Sequence, residues 1–180
     1  MRKMFVKTEN YRKFVSAVKA VEQRGAAEAG MMLVYGVPGL GKSHIVSSWA
    51  AETGAIFLRA NKDWTPRYAL SELAAALEID GRGNSQKLFA RLLKPIAENQ
   101  WPIIIDEAEF TLANQAAALE KIRDISDRAE NTVILIGMGN IQNDIKRYGQ
   151  ISSRIARVVE FLPATLEDVQ SACKQLAEVE

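Results

Sequence analysis

One short stretch of the chain combines the residue types that bind phosphate. Residues 36–43 read Gly-Val-Pro-Gly-Leu-Gly-Lys-Ser and match the pattern G-x-x-x-x-G-K-S/T. Glycines let the backbone turn successive N–H groups toward phosphate oxygens, and a helix that begins at Lys42 adds its positive dipole end there. Lys42 is expected to reach the β- and γ-phosphates, and the Ser43 hydroxyl to hold Mg²⁺. The stretch, called the phosphate loop below, predicts a site for ATP and Mg²⁺.

The alternative is a glycine-rich turn that contains Lys-Ser by chance. It does not account for the apolar run before the loop or for the helical run after it. His44 follows on the same helix and is counted with the nucleotide site, although its ring is expected to pack rather than act as a ligand. The residues expected to contact the nucleotide at this loop are Gly36, Val37, Pro38, Gly39, Leu40, Gly41, Lys42, Ser43 and His44.

Two adjacent acids form the second candidate group. Asp106 and Glu107 directly follow the apolar run 103–105, which is typical of a buried strand. Asp106 suits Mg²⁺, and Glu107 can polarise a water for in-line attack on the γ-phosphorus. Acids that merely begin a solvated helix would explain the composition but not the position after a buried strand. Glu107 favours hydrolysis of ATP by water over phosphoryl transfer to a small acceptor.

Three further side chains are candidates, and two of them have a named alternative. Asn140 follows the fourth predicted strand and could bond the γ-phosphate or the attacking water, or cap the helix that starts next. Asn10, with its neighbours in the segment before the first strand, could contact adenine. Arg154 precedes the last predicted strand; periodicity assigns it no role, and a surface salt bridge is its ordinary alternative.

A polar loop after the second predicted strand is a candidate for contact with DNA. Lys62, Trp64, Thr65 and Arg67 place two cations and an aromatic ring at the carboxyl end of that strand, where open α/β sheets bind their ligands. The alternative is an ordinary loop in which Trp64 covers apolar surface. Thr65 before Pro66 is also a good start for a helix.

The elements that must position these residues alternate between buried strands and amphipathic helices. Continuous apolar runs predict strands at 31–35, 55–60, 103–107, 133–140 and 158–161. Helical spacing predicts helices from about residue 11 to Gly25, over 42–51, from Pro66 to near Gly81, over 85–99, after Glu107, from Ile141, and from the capping pair Thr165 and Asp168. Pro95 should kink or shorten its helix, and Cys173 should pack.

Composition limits the class of protein. The 180 residues suit one domain, and 23 basic against 22 acidic residues leave no net charge that would mark a nucleic-acid binder. The single cysteine, the lack of a secretory leader pattern and the lack of an apolar stretch of about 18 residues or more favour a cytoplasmic protein without a membrane segment.

The order of these motifs resembles that of the AAA+ ATPases. A phosphate loop follows strand one, Asp-Glu follows strand three, an amide follows strand four, and Ser153-Arg154 precedes strand five. The runs 8–10, 59–67 and 152–155 are similar to those of the transposition helpers typified by the B protein of phage Mu. The resemblance implies a three-layer α/β fold with a five-stranded parallel sheet of order 5-1-4-3-2 and helices on both faces.

The resemblance also implies partners and a shared site. Such helpers bind ATP between protomers of a helical filament or ring on double-stranded DNA, and they activate a transposase. Arg154 matches the position of an arginine finger offered to the neighbouring subunit, and Lys62, Trp64, Thr65 and Arg67 match the loop that lines the DNA. Met138 departs from the pattern, because related helpers often carry Thr or Ser there. Residues 1–162 are expected to be the ATPase core and 163–180 the start of a truncated or missing lid.

The sequence therefore predicts a slow, assembly-dependent ATPase of the bacterial host cytoplasm that helps a transposase select target DNA. Its predicted catalytic residues are Lys42, Asp106, Glu107, Asn140 and Arg154. A nucleotide-gated loader or scaffold of phage replication or defence is the first alternative. A small phosphate-loop kinase is the second, and the sequence offers no separate segment for its acceptor pocket.

Overall fold

The computed structural model describes residues 5–23, 25 and 29–177, and a parallel β-sheet runs through its centre. Its strands lie in the order β2-β3-β4-β1-β5, which confirms the predicted order. Every pairing along the sheet is parallel, so all carboxyl ends lie at one edge. The strands are β1 Met31–Tyr35, β2 Ile56–Arg59, β3 Ile103–Asp106, β4 Val133–Gly137 and β5 Ile155–Glu160.

Helices cover both faces of the sheet because its central strands are apolar on both faces. In β1, Leu33 packs in one core with the helices that follow β2 and β3, whereas Val34 packs in a second core with the helices that precede and follow β1. This alternation follows from the two-residue period of a strand. The helices are α1 Glu9–Glu22, α2 Lys42–Thr53, α3 Pro66–Ala76, α4 Ser85–Asn99, α5 Ala113–Ala129, α6 Ile141–Lys146, α7 Gly149–Ser152 and α8 Leu166–Ala177, with a 3₁₀ helix at Ala108–Leu112.

A reciprocal capping box begins α8, as predicted. Thr165 N donates to Asp168 Oδ2 and Asp168 N donates to Thr165 Oγ1, each at 3.1 Å. The other carboxylate oxygen of Asp168 accepts from Glu9 N at 2.8 Å. Asp168 therefore satisfies N–H groups at the starts of two helices and fastens α1 to α8.

Several predicted boundaries are wrong. Helix α3 ends at Ala76, well before Gly81, whereas α4 has the predicted bounds Ser85–Asn99 and is not shortened by Pro95. Strand β5 begins at Ile155, three residues earlier than predicted. Cys173 is exposed on α8 and does not pack in the core.

The helix expected after Glu107 is not continuous. The 3₁₀ helix comes first, and three consecutive residues at the start of α5, Asn114, Gln115 and Ala116, have left-handed φ angles of 50°, 60° and 58°. Residues with a Cβ adopt this conformation at a cost of about 1 kcal/mol or more each, so the segment stores strain. The 3₁₀ helix thus stands apart from α5, directly beside the carboxyl edge of the sheet.

Among the described residues, no helix combines the length and apolar character needed to cross a membrane.

Candidate functional site

The phosphate loop connects β1 to α2 at the carboxyl edge of the sheet. A Cβ on Gly36 would lie 2.7 Å from the Phe161 carbonyl oxygen, so a side chain cannot fit there. Gly41 has a φ of 75° at the N-cap of α2, a conformation that favours glycine. Within the described chain, no hydrogen bond engages the N–H groups of Gly41, Lys42 and Ser43. The loop therefore offers backbone donors for an anion.

Lys42 folds back over this loop. Its ammonium group donates to the carbonyl oxygens of Gly36 at 2.8 Å and Val37 at 2.9 Å, and the residue is 9% exposed. Burial lowers the Lys42 pKa, although the charges of Glu109 and then Asp106 oppose this shift. The positive charge is thus held inside the cavity by carbonyl dipoles and nearby acids, where a phosphate group could replace the carbonyl oxygens as partner.

Ser43 and Asp106 meet across the site. Ser43 Oγ donates to Asp106 Oδ1 at 3.0 Å, and the N–H of Glu107 donates to the same oxygen at 3.0 Å. Asp106 is 3% exposed. A hydroxyl and a carboxylate are oxygen ligands of the kind that Mg²⁺ prefers, so these two residues fit the predicted metal role.

Arg59, which the sequence analysis did not assign to the site, holds both acids. Its Nη2 lies 3.3 Å from Asp106 Oδ2, and its Nε lies 3.9 Å from Glu107 Oε1. Arg59 ends β2 and is the register partner of Asp106, which ends β3. The predicted strand order already placed the ends of β2 and β3 side by side, and this order was the signal that could have assigned Arg59 to the site. Glu107 has a left-handed φ of 55°, which ends the strand and turns the chain into the 3₁₀ helix.

Glu109, on that 3₁₀ helix, is the second residue that the sequence analysis missed. A cavity of about 220 Å³ lies between the phosphate loop and the ends of β3 and β4. Glu109 lies three residues after Asp106, and that spacing was the only signal for it. The cavity is lined by Pro38, Gly39, Gly41, Lys42, Ser43, His44, Asp106, Glu107, Glu109, Ile136, Gly137 and Met138.

Asn140 does not line this cavity. It is exposed at the start of α6, and its side chain makes no capping hydrogen bond, so neither alternative weighed for it is observed. Met138 lines the cavity instead and is 54% exposed. A catalytic role for Asn140 therefore stays a prediction without a contact to support it.

Asn10 has a structural role. Its amide donates to the Leu162 carbonyl at 2.8 Å and accepts from the Leu162 N–H at 3.2 Å, which fastens α1 to the chain after β5. Beside it, the Phe5 ring packs edge-on against Tyr11 at 5.1 Å and lies 6.0 Å from His44. His44 is exposed and borders the cavity, so an aromatic surface adjoins the phosphate loop. Contact of Asn10 with adenine stays a prediction.

Arg154 lies at the opposite edge of the sheet. It directly precedes β5, and its carbonyl accepts from the N–H of Met31, the first residue of β1. Its Nε donates to both carboxylate oxygens of Asp127, at 3.2 and 3.3 Å, and its side chain is 23% exposed. The salt bridge considered from sequence is present, and the side chain still reaches the surface.

The predicted DNA loop is mainly structural. Trp64 is 3% exposed in the core, so the alternative in which it covers apolar surface is the observed one. Thr65 caps α3 by accepting from Tyr68 N at 3.1 Å. Arg67 donates to Ser71 Oγ and to the carbonyls of Gly81 and Gly83. Because Trp64 is buried, the direct DNA contact predicted for it is wrong. Of the four residues, Lys62 remains exposed with no role in packing.

Taken together, fold and site define a phosphate-loop nucleotide-binding protein. A parallel sheet of order 2-3-4-1-5 places the loop after β1 beside Asp-Glu after β3. The model of the family described as AAA domain matches residues 24–143, and the chain belongs to this family. No protein of curated function matched the chain.

Solved structures share the fold. The Walker-type ATPase of Pyrococcus abyssi gives a TM-score of 0.69 at 18% identity, over 98% of this chain and 59% of that one. The Aeropyrum pernix Orc1 protein, solved with DNA, gives 0.66 at 18% identity, over 97% and 50%. Aquifex aeolicus DnaA, solved with AMPPCP, gives 0.60 at 17% identity, over 97% and 53%. The chain therefore spans between half and three fifths of these structures.

Proposed function

We propose that this chain binds ATP with Mg²⁺ at the phosphate loop and hydrolyses it. The observation that carries the proposal is the contact of 3.0 Å between Ser43 Oγ and Asp106 Oδ1, beside a buried Lys42. It brings together a phosphate-binding cation and two oxygen ligands for a metal ion. The aromatic surface formed by Phe5, Tyr11 and His44 adjoins the loop and offers a face on which an adenine ring can stack.

Each charged residue has a defined task in this proposal. Lys42 leaves the Gly36 and Val37 carbonyls and donates to the β- and γ-phosphates. Ser43 and Asp106 hold Mg²⁺, which when bound neutralises charge on the phosphates. Glu107, released from Arg59, accepts a proton from the attacking water.

The same proposal assigns Arg154 to the site of a neighbouring copy. Arg154 precedes β5 and lies beside the first residue of β1, whereas the phosphate loop follows the last residue of β1. A strand of this length spans roughly 16 Å at about 3.3 Å per residue. Arg154 therefore cannot reach the phosphates of its own chain, and its contact with a nucleotide needs a second protomer.

A mixing experiment tests this shared site. Lys42→Ala should lose ATP binding, whereas Arg154→Ala should keep ATP binding and lose turnover. A mixture of the two inactive variants should regain turnover, because a K42A protomer supplies Arg154 to the intact loop of its R154A neighbour. Tight ATP binding by K42A would reject the loop assignment, and a mixture that stays inactive would reject the shared site.

We further propose that the assembled form binds double-stranded DNA and helps a transposase use it as target. The support is the sequence similarity of the runs 8–10, 59–67 and 152–155, and Lys62, like Arg59, is an exposed cation of the second run. Turnover should rise with DNA and with protein concentration, and electron microscopy should show ATP-dependent filaments or rings. Lys62→Ala should weaken DNA binding and lower the salt slope by about one. An unchanged slope would place the DNA surface elsewhere.

A loader or scaffold of phage replication or defence would share ATP binding and assembly on DNA. The two functions differ in the partner. A stimulation of strand transfer by a transposase encoded beside this protein supports the transposition role. Assembly on DNA without any such stimulation favours the loader.

A further inference from the structure

Glu109 lies in the candidate site but has no task in the function proposed above. It sits on the 3₁₀ helix Ala108–Leu112 and lines the cavity together with Lys42 and Gly137. Its Oε2 atom is buried, and in the described part of the chain no hydrogen-bond donor reaches it. Leaving a buried carboxylate oxygen without a donor costs free energy, so its position in a ligand cavity indicates that a bound species supplies the donor.

Gly137 makes room for this carboxylate at the end of β4. A Cβ on Gly137 would lie 3.0 Å from Glu109 Oε2 and 2.4 Å from Ile141 Cδ1. Of the residues that follow β4, Met138 lines the cavity and Asn140 does not. The polar group over the end of β4 is thus supplied by the 3₁₀ helix and not by the strand or the loop after it.

The chemistry of the group limits what it can bind. An ionised carboxylate only accepts hydrogen bonds, and so do the oxygens of a fully ionised phosphate, so the two cannot pair directly. Lys42 donates to two loop carbonyls, and Glu109 is the first of the charges that favour its charged form. Nucleotide binding would direct the ammonium group to phosphate oxygens. A water molecule beside the γ-phosphorus can then supply the donor that Glu109 Oε2 lacks.

We propose that Glu109 accepts a hydrogen bond from the water that attacks the γ-phosphorus, so that two acids, Glu107 and Glu109, position it. This inference rests on the ATP hydrolysis proposed above. The water oxygen bonds to the γ-phosphorus, and the bond to the bridging oxygen breaks, its electron pair leaving with ADP. One water proton passes to Glu107 and then to solvent. The other stays on the new phosphate, HPO₄²⁻, so Glu109 orients the water and takes no proton.

The test compares Glu109→Gln, Glu109→Asp and Gly137→Ala with the wild-type chain and with the exposed control Glu167→Gln on α8. We expect E109Q to lower kcat about 100-fold or more, while its Kd for a fluorescent ATP analogue with Mg²⁺ changes less than about threefold. E109D, which keeps the charge, should retain more turnover than E109Q. G137A should lower kcat as well, because the new methyl group would meet Ile141 at 2.4 Å and the carboxylate at 3.0 Å, and its thermal midpoint shows whether the displacement of Ile141 unfolds the chain. E167Q should match the wild type.

A merely structural Glu109 would behave differently. It would lose nucleotide affinity and thermal midpoint in proportion to turnover. We expect E109Q to lose kcat far more than either, since no hydrogen bond to Glu109 Oε2 is removed and the attraction of Glu109 for the Lys42 charge is what stability loses. If both acids hold one water, their effects should not add. The kcat of the double variant E107Q/E109Q should then lie within about twofold of the kcat of the slower single variant.

Two results overturn the inference. If the wild-type chain turns over ATP and the kcat of E109Q lies within about twofold of the wild-type value, the role proposed for Glu109 is rejected and the proposed function is not. A wild-type chain that hydrolyses no ATP with DNA at high protein concentration rejects the proposed function, and this inference with it.

Discussion

At the scale of single residues, the site is a set of opposite charges that hold one another in place. Asp106 uses one carboxylate oxygen for Ser43 and the other for Arg59, and Arg59 also lies 3.9 Å from Glu107. Arg59 is 62% exposed, so its attraction for the acids is screened by solvent and modest. Mg²⁺ bound as proposed would share Asp106 with this guanidinium. Arg59 should therefore set how much Mg²⁺ the site needs.

Replacing Arg59 by Ala should lower the Mg²⁺ concentration that turnover requires. An exposed ion pair contributes about 0.2–1 kcal/mol, so the Mg²⁺ concentration for half-maximal turnover at fixed ATP should fall by up to about fivefold. Arg82→Ala is the matched control, because Arg82 is exposed and pairs only with Asp80 among the described acids. A Mg²⁺ requirement that stays equal or rises in R59A would show that Arg59 supports the metal site instead of competing with it.

At the scale of elements, Asp168 is the connection on which two helix starts depend. Burial opposes the charge of this carboxylate, but the backbone N–H groups of Thr165 and Glu9 outweigh it and hold the Asp168 pKa below its ordinary value of 3.8. A lowered carboxylate pKa stabilises the folded state fully above the unfolded value. That stabilisation is lost as the pH falls below 3.8 through the folded pKa.

Asp168→Ala should lower the free energy of unfolding at pH 7 by about 1–3 kcal/mol, because it leaves N–H groups at two helix starts without acceptors. The difference from the wild type should shrink when urea unfolding is repeated at pH 3. Glu167→Ala, exposed in the same helical turn, is the control and should show neither effect. A loss that is the same at both pH values would mean that packing, and not the charge, is what matters.

The elements also show which features could be predicted from sequence. Strands β1 and β3 were predicted within a residue, since a strand buried on both faces must be a continuous apolar run. The phosphate loop was predictable because its pattern has a fixed spacing, and Asp106 because it directly follows a buried apolar run. The position of Glu109 was not, because it depends on a 3₁₀ helix and left-handed residues that break a helical pattern. The burial of Trp64 was also undecided, since an aromatic ring in a polar loop suits a core or a ligand equally.

At the scale of the whole molecule, the sheet separates the two groups of residues that the proposed reaction centre needs. The phosphate loop, the acids and the cavity lie at the carboxyl edge, and Arg154 lies at the amino edge. If Arg154 acts as proposed, the site is completed by stacking on another copy, so turnover should depend on protein concentration. The orientation of the Arg154 side chain before assembly then matters, and its hydrogen bonds to Asp127 fix this orientation.

Asp127 should orient Arg154 for the neighbour. Arg154 Nε donates to both oxygens of Asp127, and Nη1 donates to Ser153 Oγ at 3.3 Å, so Asp127 fixes the guanidinium at its inner nitrogen. Asp127→Ala should lower turnover at saturating protein about three- to tenfold and leave ATP binding by the isolated chain unchanged. Asp124→Ala is the control, because Asp124 lies on the same helix and pairs with Arg123 and Lys121. If D127A matches or exceeds the wild type, Asp127 instead withholds Arg154 from its neighbour, and assembly must break that pair.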